Sequence, residues 1–200
     1  ARAKGYIKGN LKKEEVFSLL KRTTSATTVY KKQKMDRDDK IEITDFDVVA
    51  WLKSEMRMML DEELARAYLI GDGRLSSSDD KINEGNIRPI YKDDDLYTIK
   101  KKVSVAKGAD EDAKARAFIK QVIRARKDYK GSGNPDLYTT EDMLTSMLLL
   151  TDTTGRDLYA DEAQLAKKLR VKEIITVPVM EGVKGVGGGE LMGIVCNLID

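Results

Sequence analysis

Few residues in this chain are of types that do chemistry, and their spacing decides what each could do. Closely set glycines at Gly185-Val186-Gly187-Gly188-Gly189-Glu190 would let backbone N–H groups approach a phosphate. Yet Glu190 stands where the dinucleotide fingerprint needs its third glycine, and a strand-like run follows instead of a helix. The run reads as a hairpin loop. Asp93-Asp94-Asp95 and Asp110-Glu111-Asp112 gather carboxylates, but neither has the alternating ligands and central glycine of a calcium loop. They read as a solvated turn and an acidic helix start. Cys196, the single cysteine, lies in an apolar run and reads as a small buried hydrophobe. With one cysteine there is no disulfide framework and no cysteine-rich metal site. Histidine is absent altogether. That removes the usual general base, the usual zinc ligand and the Ser–His and Cys–His pairings. Carboxylate or lysine catalysis remains open, but the chain is expected not to be an enzyme, with no cofactor and no metal.

The rest of the chain is built for packing. Two hundred residues at 41% hydrophobic and 35% charged content suit a globular domain, or two small intertwined ones, with a charged surface. A chain of this length buries roughly 70% of its unfolded surface. The net charge of +2 does not by itself imply a nucleic acid or membrane partner. It is unevenly spread, with +7 in residues 1–40 and −5 in the remainder. Such asymmetry fits a basic arm that seeks an acidic surface, or a flexible solvated segment. No apolar run reaches the ~20 residues that span a bilayer, and no signal peptide is visible.

The elements follow from periodicity. Asn10 caps a short helix over Leu11–Leu20, and Thr23–Lys34 reads as a projecting basic β-ribbon. The clearest signal is a long amphipathic helix from Thr44, its cap, to Ile70, with Gly71 and Gly73 as the stop. Val49, Leu52, Met56, Met59, Leu60, Leu64, Ala67 and Ile70 form its main stripe. At about 1.5 Å per residue it would be roughly 39 Å long. A thinner second stripe of Trp51, Met58 and Ala65 lies on the opposite side. Either the helix is sandwiched and both stripes are core, or Trp51 and Met58 meet another element or subunit.

Beyond it, Ile87–Tyr91 reads as an edge strand because Pro89 cannot donate to a ladder, and Leu96–Val105 as extended chain. Asp110–Asp128 is a second helix with Ala117, Phe118, Val122, Ile123 and Ala125 inward. Gly131–Pro135 is a turn cluster, Thr140 begins a third helix to Leu150, and Asp161 caps a fourth to Leu169. Val171–Met180 reads as a strand, Gly182–Gly189 as a hairpin loop and Leu191–Ile199 as its return strand. The order predicts an α+β fold.

Several stretches also carry a resemblance. Residues 28–39 (TVYKKQKMDRDD) run into 46–53 (FDVVAWLK), followed by 60–74 (LDEELARAYLIGDGR). Residues 149–156 (LLTDTTGR), 174–178 (IITVP) and 191–198 (LMGIVCNL) come later, in matching order. Taken together they resemble the major capsid proteins of tailed double-stranded DNA bacteriophages. The resemblance implies an extended β-loop over 1–43 and a peripheral domain over 44–98 whose spine is the long helix. It further implies a mixed α/β axial domain over 99–185 and a strand over 186–200 returning to the peripheral domain. The family's N-terminal arm and C-terminal end have no counterpart here, so the chain is expected to be the central part of a longer subunit.

The function implied is a structural subunit of an icosahedral phage or prophage capsid. It would self-assemble through pentamers and hexamers to enclose the DNA genome. It would be made in the bacterial host cytoplasm and end in the virion. Partners implied are other copies of the subunit, scaffolding and portal proteins, and packaged DNA held non-specifically, with no membrane. This chain alone is expected to be monomeric. The candidate assembly contacts are Tyr30, Lys31, Lys32, Lys34, Trp51 and Met58. The Lys–Asn–Glu cross-linking trio of some relatives does not map onto this sequence, so a shell without cross-links is expected. An encapsulin-like compartment shell is the alternative.

Overall fold

The computed structural model describes residues 21, 23–32, 47–106, 108–184 and 189–197. Among them the chain is α+β, with five α-helices and three strands. The long helix α1 spans Val48–Leu69. Asp47 caps it, its carboxylate accepting the Ala50 N–H at 3.0 Å, while the expected cap Thr44 lies outside the described residues. Twenty-two residues give a rod of about 33 Å. It stops where expected. Gly71 adopts φ +91°, a left-handed conformation that costs glycine nothing, and its N–H bonds the Arg66 carbonyl at 2.8 Å.

The sheet has the order β2-β1-β3. β1 (Asp136–Thr139) is its centre, paired parallel to β2 (Ile174–Thr176) and antiparallel to β3 (Gly193–Cys196). Alternation along the strands sorts the side chains. Leu137, Ile174 and Val195 face a cluster with α3 (Glu111–Ala125), α4 (Glu141–Leu148) and α5 (Glu162–Leu169). Tyr138, Ile175, Ile194 and Cys196 face a second cluster with Leu69 and Ile70 at the end of α1 and with Met180. One polar side chain lies fully buried at the centre. Thr139 is satisfied there by donating its hydroxyl to the Met192 carbonyl at 2.7 Å.

The helices start where their caps dictate. Asp110, Thr140 and Asp161 each accept an N–H three residues on, from Ala113, Met143 and Gln164. In α3 the expected inward set is joined by Ala115 and Ile119, both buried, and a 3-10 turn continues the helix over Arg126–Asp128.

Three expectations are corrected. The edge strand at Ile87–Tyr91 is instead the end of α2 (Glu84–Ile87) followed by a 3-10 turn at Ile90–Lys92. Asn83 caps that short helix, and Arg88, at φ 56°, ends it by donating its N–H to the Glu84 carbonyl at 2.7 Å. The expected extended chain at 96–105 begins instead as a turn over 95–97, and 99–105 carries no regular element. The proposed hairpin of β2 and β3 is not one, since the two flank β1 on opposite edges. Pro178 opens a 3-10 turn that ends β2 after three residues, and β1 offers the return strand a four-residue ladder. The bridge between Lys184 and Glu190 and the bond from the Leu191 N–H to the Val183 carbonyl at 2.9 Å close the glycine loop, of which 185–188 lie outside the described residues.

Candidate assembly surface

α1 is buried unevenly along its length. Its C-terminal end is core, with Ala67, Leu69 and Ile70 at most 6% exposed. Toward its N-terminus Val48 is buried, but Val49, Trp51, Met58 and Met59 are 41–51% exposed. Leu52, Met56, Leu60 and Leu64 are half-buried. The thin stripe therefore has two fates along one line. Ala65 and Leu69, on the same face as Trp51 and Met58, pack toward Tyr138 and Met180. Toward the N-terminus Trp51 and Met58, on that same face, are exposed. The sandwiched reading holds at one end of the helix only.

The main stripe does not bury Val49 or Met59 either, an exposure that periodicity could not reveal. Periodicity reports which residues share a face, not how far the covering layer extends. Large side chains so placed are the composition that interface cores favour.

The basic segment contributes differently. Tyr30 is 79% exposed, and Lys31 and Lys32 are exposed beside it, whereas Lys34 lies outside the described residues. The expected ribbon is not formed: residues 23–32, ten of its twelve, carry no strand, and 33–34 lie outside the described residues. Bonds from the Ser25 N–H to the Asn86 carbonyl and from the Asn86 amide to the Thr27 hydroxyl, both at 3.3 Å, tie the segment to the body. With mostly Lys and Thr side chains it has no apolar face to bury within one chain.

The residues first considered for chemistry hold structural places. Asp94 accepts the Leu96 N–H at 2.9 Å in a turn, and Asp95 pairs with Lys100 at 2.9 Å. No group of three or more His, Cys, Asp or Glu among the described residues could hold a metal ion. No helix among them is long and apolar enough to cross a membrane. Burial, aided by the Asp136 carboxylate, pushes the Cys196 thiol up to about 12. The native protein at pH 8 should therefore react with a chromogenic disulfide at least ~100-fold more slowly than the urea-unfolded chain. Equal rates would show an open thiol.

Sequence reasoning missed one polar cluster, at the exit of α1. Asp72, whose side chain is fully buried, accepts bonds from Lys81, Ile82 N–H and Arg74 N–H. The signal was the charged loop Gly71–Arg74 followed by Lys81, but loop contacts ten residues apart leave no periodic trace.

Comparison of the chain with protein-family models, with curated proteins and with solved structures finds no match.

Proposed function

We propose that this chain is a shell-forming structural subunit of the phage major capsid type, non-catalytic, with α1 as the spine of its peripheral domain. The observation that carries the reading is the pair Trp51 and Met58, half exposed on one face of α1, with Val49 and Met59 exposed on the main stripe. Aromatic and methionine side chains exposed in this way are the types that interfaces enrich. Repeated around symmetry axes, several modest contacts per subunit sum to a stable closed shell. The ordered resemblance from residue 28 to residue 198 supports the same reading. The exposed basic segment beside Tyr30 adds charge suited to the acid-leaning surface of a neighbouring copy.

Electron microscopy of the complete gene product tests it. Closed shells of uniform diameter are expected, and a product that stays monomeric at high concentration overturns the reading. A variant sharpens the test. Trp51→Glu with Met58→Glu should change the stability of the isolated chain by no more than about 1 kcal/mol, because both residues are about half exposed. The same pair should abolish shell formation. A loss of several kcal/mol on urea unfolding would place these side chains in a core instead.

A further inference from the structure

A groove on the outer side of α3 is unrelated to the assembly helix. It runs between α3 and the segment 102–104 and encloses about 540 Å³. Lys102, Arg116, Lys120 and Arg124 line it, with Ser104 and Gln121 as further hydrogen-bond donors. No carboxylate lines it, and the remaining lining is Val103 and alanines. The helix sets the spacing. Arg116, Lys120 and Arg124 recur every four residues, so cations stand on successive turns about 6 Å apart along roughly 12 Å of axis.

The neighbouring lysines are spoken for, which makes the contrast clear. Lys100 pairs with Asp95, Lys101 with Asp128 at 2.7 Å, and Lys114 with Glu111 at 2.7 Å. Asp112 and Asp128, four residues before Arg116 and four after Arg124, bracket the run, and neither lines the groove. Arg116 donates to the Thr151 carbonyl, which fixes its guanidinium at one end of the groove.

We propose that this groove binds the phosphate backbone of nucleic acid without reading its bases. A polymer with one charge per repeating unit matches cations set at regular steps. The lining has no aromatic ring on which a base could stack and no apolar pocket that would select a peptide side chain. Binding is therefore electrostatic, sequence-independent and salt-sensitive, in the ~10⁻⁴–10⁻⁶ M range of non-specific contacts. Residues 41–200 sum to −5, so the attraction is local to the groove and not a field of the whole body. The proposal does not depend on shell formation.

Fluorescence anisotropy of the full chain with labelled oligothymidylate, and separately with a short DNA duplex, tests it and distinguishes single from double strands. Lys120→Glu with Arg124→Glu should weaken binding at least ~10-fold. It should also flatten the log–log salt slope by about 1.4 for the single strand or about 1.8 for the duplex. Lys31→Glu with Lys32→Glu, on the separate basic segment, should change affinity less. The proposal is overturned if the groove variant binds as wild type. It is equally overturned if poly-glutamate displaces the oligonucleotide at equal charge concentration, which would assign the groove to an acidic protein segment. Circular dichroism checks the fold. Should the reversal variant unfold, Lys120→Gln with Arg124→Gln replaces it, and unchanged binding by that pair overturns the proposal too.

Discussion

Phe118→Ala is expected to lower the unfolding free energy by about 3–5 kcal/mol, read as a shift of the urea midpoint at constant slope. Phe118 is 4% exposed in the cluster between α3 and the sheet. Its ring occupies the place where β3 has no side chain. A Cβ built on Gly193 would lie 2.8 Å from Phe118 Cζ, 3.1 Å from the Tyr138 carbonyl oxygen and 3.2 Å from Leu137 Cδ1. Glycine is thus required at 193 by close approach of the helix, not by backbone conformation. A double-mutant cycle follows from this. Gly193→Ala alone should destabilise by about 1–3 kcal/mol through overpacking. With Phe118 already truncated the same change should cost less, because its nearest obstacle is gone while the Tyr138 carbonyl stays. A coupling of at least ~0.5 kcal/mol is expected. Additive costs would mean that the ring and the strand do not compete for one space.

That contact illustrates what the sequence makes legible. Helices α3, α4 and α5 were readable because each has an acidic or hydroxyl cap three residues before its bonded N–H and a periodic apolar face. β1 was not. Asp136-Leu137-Tyr138-Thr139 is four residues between Pro135 and the cap Thr140, too short for alternation to register, and half of it is polar. Yet it is the central strand, and its Leu137 and Thr139 are fully buried. With the centre of the sheet unread, the pairing of β2 and β3 defaulted to the nearest partner in sequence, which is where the hairpin expectation failed. The candidate surface on α1 was half legible. The stripe of Trp51 and Met58 was visible, but only the structure shows that Ala65 and Leu69 pack into a core while Trp51 and Met58 are exposed. The groove on α3 was hidden for a similar reason. Its cations read as an ordinary solvated helix face until the segment 102–104 lies alongside them.

The second large effect concerns Asp72. Asp72→Ala is expected to cost about 2–4 kcal/mol, since it strands a buried backbone donor and the ammonium that faces it. Asp72 Oδ2 accepts the Ile82 N–H at 2.8 Å, and Oδ1 accepts Lys81 Nζ at 2.9 Å and the Arg74 N–H at 3.3 Å. Its own N–H donates to Glu84 Oε1 at 3.1 Å, an oxygen that also takes Lys92 Nζ at 2.8 Å. The two carboxylates clamp the exit of α1 onto residues 81–92. Gly71 must be glycine there, because a Cβ would meet the Glu84 carboxylate at 2.5 Å. Burial alone would raise the Asp72 carboxyl, but the bonds from Lys81, Ile82 and Arg74 outweigh it and hold the group below its ordinary value. A depressed folded-state value means that the ionised group stabilises the fold above the unfolded-state value of about 3.9. That contribution fades as pH falls below it through the folded-state value. The stability gap between wild type and Asp72→Asn should therefore be constant from pH 7 to about pH 5 and shrink toward pH 2. Asp128 and Asp152, also held low by their partners, are common to both proteins and cancel in the difference. A gap unchanged between pH 7 and about pH 2 would show that Asp72 acts through shape alone.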